Sequence, residues 1–365
     1  MADKFIQRRN KVRKAFARHG INALLITDTV NIRYLTNFTG GSACLLIQRS
    51  GDVLLSDPRF TIQIAEECPN LEAVINPRNL AVSAVLAEQL GEKGGRLGIE
   101  AESVTLAQQE RLFKDLPHWI AVPVSDITEK LRAVKDKDER RFVQQAVDIA
   151  AKSFKYIRQY IQQTPDADEI DVRNMLEFAM RLFGAEDKSF SSIVGAGARA
   201  ALPHAVPGYQ KIAGQSHLII DWGCIVNGYM SDLTRVLIFD RKDKQLRKVY
   251  ETVLKANEAA IAAIKPGKTC EEIDRAAAKV LVKSRFVTEP AHALGHSVGL
   301  EIHENPRFAK GDKTVLKPGM ILTVEPGIYI RDWGGIRIED DIIVTSTGCR
   351  VLSSAVPKRF ADVCM

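Results

Sequence analysis

The sequence predicts an α/β (α+β) protein with two domains, an α/β layer domain followed by a larger second domain. Short apolar runs alternate with helical patterns over about the first 130 residues, which is typical of a layer domain with a largely parallel sheet. The 365 residues also exceed what one hydrophobic core usually serves. A charge-dense connector at 131–141 then leads into a long amphipathic helix. We therefore predict domains 1–132 and 133–365.

The composition is that of an ordinary soluble protein, with 45% hydrophobic and 26% charged residues. No apolar run approaches the roughly 18 residues of a membrane span, and the basic N-terminus lacks the apolar stretch of a signal peptide. We expect a cytoplasmic protein with no membrane partner. Six cysteines without a CxxC pair argue against a zinc ribbon and a compact disulfide framework, so we expect reduced thiols.

Basic residues are concentrated at the N-terminus of a chain whose net charge is +6. Seven of the first eighteen residues are Lys or Arg, which would suit a nucleic-acid-binding arm. The same segment carries Phe5, Val12 and Phe16 at helical spacing, which favours an amphipathic helix with a solvated basic face. We prefer the second interpretation and expect no nucleic-acid partner.

The first domain is predicted to begin with a helix over residues 4–18 that ends at Gly20. Residues 27–41 form a polar connection in this prediction. Strands are expected at 21–27, 43–47, 52–56, 71–75, 96–100 and 120–124, and helices at 60–67, 80–91 and 105–114. No group of residues in this domain suggests a catalytic site.

The second domain is predicted to contain two pairs of helices. Asp166 or Asp168 is the candidate N-cap of the second helix, and Gly184 suits the position after its last turn. The helices are expected at 143–163, 169–183, 244–264 and 270–284.

A loop rich in Gly, Ala and Pro follows the first pair of helices. Gly195-Ala-Gly197 imitates a dinucleotide-binding turn, but Pro203 interrupts the helix that such a unit requires. We therefore disfavour nucleotide binding. His204 lies between Pro203 and Pro207, and a single histidine in such a loop is usually just exposed.

Residues 218–239 predict a hairpin with two carboxylates on one face. Asn227-Gly228 separates two apolar runs, which is a strong signal for a type I′ turn. This turn sets Asp232 opposite Gly223, so that Asp221 lies diagonal to Asp232 at roughly 7 Å or less. A buried unpaired carboxylate is costly and normally has a metal or cationic partner. Two solvated surface acids are the alternative.

A second apolar run near the C-terminus predicts another hairpin, with its polar tip at Asp332. A simple hairpin centred there sets Glu325 nearly opposite Glu339. The alternative for Glu339 is an acidic surface patch with Asp340 and Asp341.

Histidines are concentrated between the two hairpins, where residues 291–306 hold three of the seven. His296 and His303 do not have the HExxH spacing of a zincin helix, so this helical metal motif is rejected.

Two carboxylate pairs and one histidine make a plausible dinuclear metal site. Four carboxylates neutralise two divalent ions, and hard oxygen ligands with one imidazole suit Mn²⁺, Co²⁺, Fe²⁺ or Zn²⁺. Two such ions can activate water and polarise a substrate carbonyl, which implies hydrolysis. The candidate ligands are Asp221, Asp232, His296, Glu325 and Glu339.

Five segments resemble the pita-bread metallopeptidases, the family of prolidase, aminopeptidase P, methionine aminopeptidase and creatinase. They are PHAVP, IIDWGCIVNGYMSDLTR, GHSVGLEIHENP, TVEPGIYI and GGIRIEDD, in the order of the family. In the first half, INALLIT, NIRYLTNFTG and LLSDPRFTIQIAEE look like a creatinase-type N-terminal domain. The resemblance covers nearly the whole chain and implies a creatinase-type domain at 1–132 and a pita-bread catalytic domain at 133–365.

The resemblance implies the same five metal ligands and adds further site residues. The substrate and transition-state histidines of the family fall on His204 and His303, and its active-site arginine falls on Arg337. The implied cofactor is a pair of divalent ions, with Mn²⁺ as the first choice and Co²⁺, Zn²⁺ or Fe²⁺ as alternatives. Ser297 departs from the pattern, because many members carry glycine after the ligand histidine.

The resemblance favours the Xaa-Pro branch, because methionine aminopeptidases usually lack the large N-terminal domain and creatinase lacks the metal ligands present here. The implied activity is hydrolysis of the Xaa-Pro bond of dipeptides, or of longer peptides with proline in second position. The implied assembly is a homodimer in which the N-terminal domain of one subunit borders the other's site. A non-enzymatic binding module on the same fold and a creatinase-like amidinohydrolase stay as alternatives.

Overall fold

The computed structural model describes residues 4–76, 81–284, 286–287 and 290–365. The chain forms two compact units, residues 1–132 and 133–365. Within the described ranges, none of the helices combines the length and the apolar character that crossing a bilayer requires. Residue 80, where the sequence predicts that a helix begins, lies outside the described residues.

The first unit alternates helices with the strands of one sheet. In chain order these elements are α1 (Lys4–Lys14), α2 (Phe16–His19), β1 (Ala23–Ile26), α3 (Thr29–Thr36), β2 (Ala43–Gln48), β3 (Asp52–Ser56), α4 (Thr61–Glu67), β4 (Glu72–Ile75), α5 (Val82–Leu90), β5 (Gly95–Glu100), α6 (Leu106–Phe113), β6 (Trp119–Val124) and α7 (Glu129–Arg132).

The sheet of the first unit is mixed, with parallel pairs on both sides of an antiparallel centre. Its strand order is β4-β3-β2-β1-β5-β6. The outer pairs are parallel, but β2 runs antiparallel to both β1 and β3. Only residues 49–51 connect β2 to β3, and a connection this short can join only antiparallel neighbours. The α/β class is confirmed, and three of the five strand pairs are parallel, while the two pairs that β2 forms depart from the predicted parallel arrangement.

The predicted polar connection at 27–41 is also wrong, because it contains α3. Asp28 caps this helix by accepting a hydrogen bond from the N–H of Asn31 at 2.9 Å. Ile32 and Leu35 are buried on one face, three residues apart. The apolar stripe of this short helix is only one turn long, which is too short to stand out from the polar residues around it.

The basic N-terminal helix binds its own unit instead of presenting a wholly solvated face. Arg9 is buried, and its guanidinium donates to Asp52 at 2.7 Å and to the carbonyl of Leu35 at 2.8 Å. Arg13 also pairs with Asp52. The helix is interrupted at Ala15, and Gly20 ends it with a φ of 63°.

The second unit contains longer helices and several small sheets. Its elements are α8 (Lys137–Gln163), α9 (Glu169–Leu182), β7 (Ile193–Ala196), β8 (His217–Trp222), β9 (Ile225–Val226), β10 (Tyr229–Met230), β11 (Leu233–Ile238), α10 (Lys244–Ala263), α11 (Cys270–Lys283), β12 (Gly295–Ser297), β13 (Glu304–Phe308), β14 (Ile321–Val324), β15 (Gly327–Ile330), β16 (Gly334–Arg337), β17 (Asp340–Val344) and β18 (Cys349–Val351).

Two helix pairs cover the sheets of this unit. The larger sheets have the orders β11-β8-β7 and β13-β12-β14-β17-β18. The pair α8 and α9 packs on the first sheet, where Phe154 stacks on Trp222 with ring centroids 5.0 Å apart. The pair α10 and α11 shares a core with β14 and β17, through residues such as Val253 and Leu322.

The predicted helices of the second unit are confirmed to within a few residues, except that α8 begins earlier, inside the charged connector. Its N-cap is Asp136, which forms a capping box with Glu139. Of the two candidates for α9, Asp168 is the N-cap. Gly184 follows this helix with a φ of 101°, as its predicted position requires.

Candidate metal centre

The first hairpin has the register that its Asn-Gly turn predicts. Asn227 and Gly228 both have positive φ, 48° and 75°, as a type I′ turn requires. The pairs Tyr229–Val226 and Leu233–Trp222 then set Asp232 opposite Gly223.

Gly223 lets the two strands of this hairpin come close together beside Asp232. A Cβ there would lie 1.8 Å from the carbonyl oxygen of Ser231, so the close backbone approach requires a glycine.

The second hairpin also keeps its predicted register. Val324 pairs with Asp340 and Gly327 pairs with Arg337, which sets Glu325 opposite Glu339 in a gap between the two ladders. The N–H of Glu339 donates to the carbonyl of Thr234 in β11 at 3.2 Å. The two hairpins are therefore hydrogen-bonded to each other where their carboxylates lie.

Three of the predicted ligands already converge. Ligand atoms of Asp232, His296 and Glu339 all lie within 4.8 Å of one another, and the three residues are buried. Nε2 of His296 is 3.5 Å from Oδ2 of Asp232 and 3.4 Å from Oε1 of Glu325. A third carboxylate, that of Glu325, is thus within reach of the same imidazole.

The imidazole of His296 is oriented by the strand that carries it. Its Nδ1 is 3.2 Å from the carbonyl oxygen of Ser297, which assigns the ring proton to Nδ1 and leaves Nε2 free to bind a metal. The Ser297 hydroxyl donates to Ile321 O at 2.9 Å and accepts from Lys135 Nζ at 2.8 Å. Lys135 also pairs with buried Glu304 at 3.0 Å. The serine that departs from the family pattern is therefore anchored on two sides.

Asp221 and Arg337 form a buried ion pair at one side of the site. The distance from Arg337 Nη2 to Asp221 Oδ2 is 2.5 Å. The other carboxylate oxygen, Oδ1, is buried and has no hydrogen-bond partner among the described residues. A buried oxygen left in this way suits a metal ligand, because an unpaired carboxylate oxygen is otherwise costly.

Three further side chains, which were not predicted from the sequence, surround this ion pair. Arg337 donates to the Tyr329 hydroxyl at 2.6 Å and to Thr234 Oγ1 at 3.0 Å, and Thr234 donates to Glu339 at 2.7 Å. Nε2 of His292 lies 3.1 Å from the Tyr329 hydroxyl. In the predicted register Thr234 lies directly opposite Asp221, so the hairpin pattern could have indicated that it belongs to the site. Tyr329 and His292 carry no such signal.

The site accumulates negative charge away from water. Burial, and then the charges of Glu339 and Asp221, raise the pKa of Asp232 well above its ordinary value. Burial, followed by Glu325 and Asp221, does the same for the pKa of Glu339. Burial also raises the pKa of Glu325 to about 8 and lowers the pKa of His296 to about 4. Cations would remove this repulsion and leave the imidazole neutral, as a metal ligand must be.

The alternative of an acidic surface patch for Glu339 is wrong, since Glu339, Asp340 and Asp341 are all buried. Burial alone would raise the pKa of Asp340, but Arg235 and Lys358 lower it to about 2. No cation among the described residues pairs with Asp341, and burial raises its pKa to about 8. Its Oδ2 accepts the N–H of Asp232 at 3.0 Å, so it supports the backbone of a predicted ligand.

The remaining predicted residues, His204 and His303, lie in the cleft above this cluster. The cleft has a volume of about 710 Å³ and is lined by all eight predicted site residues. The ring of His303 lies edge-on to that of His296, with centroids 4.5 Å apart. Burial, then Arg307 and His204, lower the pKa of His303. The cleft thus brings two imidazoles and one guanidinium next to a cluster of carboxylates.

The donor set fits divalent metal ions. Carboxylate oxygens and one correctly oriented imidazole converge, and Asp221 offers an oxygen that has no other partner in the part of the chain that the structure describes. Oxygen-rich sites with a single nitrogen ligand suit ions such as Mn²⁺, Co²⁺, Fe²⁺ or Zn²⁺.

Comparison with known proteins agrees with this chemistry. The model of metallopeptidase family M24 matches residues 141–346, more than half of the chain. The chain belongs to metallopeptidase family M24. The model of the creatinase/prolidase N-terminal domain matches residues 8–134.

Individual members of family M24 are similar over nearly the whole chain. An Xaa-Pro dipeptidase of Pyrococcus furiosus is 32% identical over 95% of this chain and 97% of its own. The structure of an Xaa-Pro dipeptidase from Bacillus anthracis is 35% identical, with a TM-score of 0.93 over 99% of this chain and all of that one. An X-Pro aminopeptidase from Thermotoga maritima is 29% identical, with a TM-score of 0.86 over 95% and 99%.

Membership of family M24 establishes the fold and the activity class. The chain combines a creatinase-type N-terminal domain with an M24 pita-bread domain, as the resemblance predicted. It is a metal-dependent hydrolase.

Proposed function

We propose that this protein is a dinuclear-metal exopeptidase that hydrolyses the Xaa-Pro bond of dipeptides, or of peptides with proline in second position. The observation that carries the proposal is the convergence of buried carboxylates and one oriented imidazole in a cleft with two further histidines. The Xaa-Pro dipeptidases and the X-Pro aminopeptidase among its relatives support the choice of bond.

The proposed ligands to the two ions are the five residues that the hairpins and β12 contribute. When bound, such ions supply Lewis-acid polarisation of the scissile carbonyl and a water of lowered pKa. Mn²⁺ is the first choice, with Co²⁺, Zn²⁺ or Fe²⁺ as alternatives. The ligands are Asp221, Asp232, His296, Glu325 and Glu339.

The proposed roles of the remaining residues concern the substrate. His204 and His303 line the cleft as hydrogen-bond donors to the peptide carbonyl and to the oxyanion that develops from it. Arg337 orients Asp221 and the Tyr329 hydroxyl through short hydrogen bonds, and its fixed positive charge stabilises negative charge in the buried site. A tertiary Xaa-Pro amide has no N–H and carries a bulky ring, so it requires a dedicated site of this kind.

The domain and assembly predictions belong to the same proposal. We assign residues 1–132 to the creatinase-like domain and 133–365 to the catalytic domain. A homodimer and a cytoplasmic location stay predictions that rest on the resemblance and on the composition. Sedimentation at micromolar concentration tests the dimer, because a mass equal to the 40.5 kDa chain would contradict it.

One assay tests the proposed function. We expect Mn²⁺-loaded protein to cleave Ala-Pro far faster than Ala-Ala, and dialysis against a chelator to abolish the activity until Mn²⁺ or Co²⁺ is restored. Including Ala-Pro-Ala separates a strict dipeptidase from an aminopeptidase. Equal rates on Ala-Pro and Ala-Ala would indicate a broad aminopeptidase. Full turnover by rigorously metal-free protein would overturn the proposal.

A further inference from the structure

The loop that carries His204 is closed by a single buried carboxylate. Glu169, the first residue of α9, is 0% exposed. Its Oε1 accepts the N–H of Ala196 at 2.9 Å, before the loop, and its Oε2 accepts the N–H of Gly208 at 2.8 Å, after it. Both ends of the loop are therefore tied to one side chain.

Arg199 adds a second tie from within the loop. Its Nε donates to both oxygens of Glu169 at 2.9 Å, and its Nη2 donates to the carbonyl of Val206 at 2.6 Å. Val206 is only two residues from His204. A planar guanidinium can serve a carboxylate and a carbonyl at once, which a lysine ammonium on a flexible stem does less well.

The backbone on the other side of His204 is also held. Arg337 Nη1 donates to the carbonyl of Pro203 at 3.2 Å, and the N–H of Ala205 donates to Leu202 O at 3.1 Å. Pro203 and Pro207 restrict φ on both sides. The imidazole of His204 is exposed in the cleft, and no hydrogen bond to another described residue holds it. Its position therefore depends on the backbone that Glu169 and Arg199 anchor.

We propose that Glu169 and Arg199 are positioning residues, which hold His204 where it can donate a hydrogen bond to the substrate. This inference rests on the proposed function, in which His204 has that role. Neither residue is among the predicted ligands or touches the carboxylate cluster. Their effect on catalysis should therefore pass through His204 and leave metal binding intact.

The test is a double-mutant cycle that combines Arg199→Met with His204→Ala. With His204 present, we expect Arg199→Met to lower kcat on Ala-Pro by about 10-fold, a part of the 10²–10³-fold that a positioned oxyanion donor supplies. KM should change by less than about 3-fold, and the Mn²⁺ content by elemental analysis should not change. In the His204→Ala background, the same substitution should change kcat by less than about 2-fold, because the group it positions is gone.

Two further variants control for general damage. Arg199→Lys should restore part of kcat, because it keeps the charge beside Glu169. Arg247→Met removes an arginine from an exposed pair with Glu251 at 3.0 Å on α10 and should leave kcat unchanged. Thermal melts monitor folding. If Arg199→Met does not fold, Arg199→Lys replaces it in the double-mutant cycle. We again expect kcat to fall when His204 is present and to stay nearly unchanged in the His204→Ala background.

The outcomes separate this inference from the proposed function. Equal losses from Arg199→Met in both backgrounds, a loss of bound Mn²⁺, or a loss below 2-fold with His204 present would overturn the positioning role alone. Near-normal kcat for His204→Ala, or no hydrolysis of Ala-Pro by the Mn²⁺-loaded wild type, would overturn the role of His204 in the proposed function and with it this inference.

Discussion

Each hairpin of the second unit has a gap in its ladder, at Asp232 in the first and at Glu325 and Glu339 in the second, but the two hairpins hold their carboxylates differently. In the first hairpin, Asp221 stays within the ladder, opposite Thr234, and is paired with Arg337. In the second, Glu325 and Glu339 face each other in the gap between two ladders. A carboxylate within a ladder can have a fixed cationic partner, whereas two that face each other across a gap repel until a cation arrives.

The backbone N–H groups in these gaps donate hydrogen bonds to the other hairpin or to a neighbouring segment. The N–H of Asp232 turns to the carboxylate of Asp341, and the N–H of Glu339 turns to the carbonyl of Thr234. The N–H of Glu325 donates to the carbonyl of Leu294, just before β12. Backbone donors that leave their own ladder thus connect the three segments that hold the candidate ligands. The site depends on this connection because buried donors must be paired.

The largest expected effect comes from the carboxylates in the gaps of the two ladders. Glu339→Gln or Asp232→Asn should abolish metal binding and lower kcat/KM on Ala-Pro by about 10³-fold or more, because each removes a charge that the two proposed ions would require. Elemental analysis and the peptidase assay measure this. Asp332→Asn is the matched control at the 92% exposed tip of the second hairpin and should change neither. Retained metal in Glu339→Gln would show that the facing pair is not part of the site.

Substitution of His204 and of His296 should separate a proposed substrate-binding group from a proposed metal ligand. His204→Ala should lower kcat by about 10²–10³-fold while metal content is kept, because it removes a donor and no ligand. His296→Ala should lower metal content first, with activity partly restored by excess Mn²⁺. Loss of metal from His204→Ala with retention in His296→Ala would mean that their roles are exchanged.

The pH dependence of stability tests whether burial opposes ionisation of Glu325. Burial raises the pKa of Glu325 from an ordinary 4.5 to about 8, so the folded metal-free protein binds a proton that the unfolded chain releases. This contribution to stability is complete below about pH 4.5 and is lost as pH rises towards 8. We expect the Tm of metal-free protein to fall across that window. Glu325→Gln should make this fall in Tm with pH shallower. An unchanged dependence of Tm on pH would contradict the raised pKa of Glu325.

The connection between the hairpins can be broken at Asp341. Asp341→Ala leaves the buried N–H of Asp232 without its acceptor and should lower the free energy of unfolding by about 1–3 kcal/mol. Asp341→Asn keeps an oxygen at that position and should stay within about 1 kcal/mol of the wild type. Urea denaturation of metal-free protein measures both. Equal losses would mean that the hydrogen bond between the hairpins contributes nothing.

The smallest effect is expected at Ser297, which follows the proposed ligand His296 in a strand outside both hairpins. Ser297→Gly removes the hydroxyl that joins Lys135 and Ile321, while the backbone carbonyl beside His296 remains. We expect Mn²⁺ affinity to fall by about 2- to 10-fold, within the range of one hydrogen bond. Isothermal titration with Mn²⁺ measures it. Unchanged affinity would mean that the strand alone orients the imidazole.

The sequence by itself determined the local geometry of the candidate site. Asn227-Gly228 requires positive φ and therefore sets the register that brings Asp221 and Asp232 to one face. The polar tip at Asp332 likewise sets Glu325 opposite Glu339. These features are short-range, so a turn and a period of two are enough to predict them. The helices of the second unit followed from periodicity and N-caps for the same reason.

Only the tertiary structure decided which charges are buried and what each one contacts. Asp340 and Asp341 are adjacent in sequence, yet one has Arg235 and Lys358 as partners and the other has the N–H of Asp232. Arg9, which composition assigns to a solvated face, is buried against Asp52. His292 and Tyr329 meet across 37 positions, and Glu169 reaches both ends of the His204 loop. No local pattern encodes these contacts, because they form only where separate segments pack together.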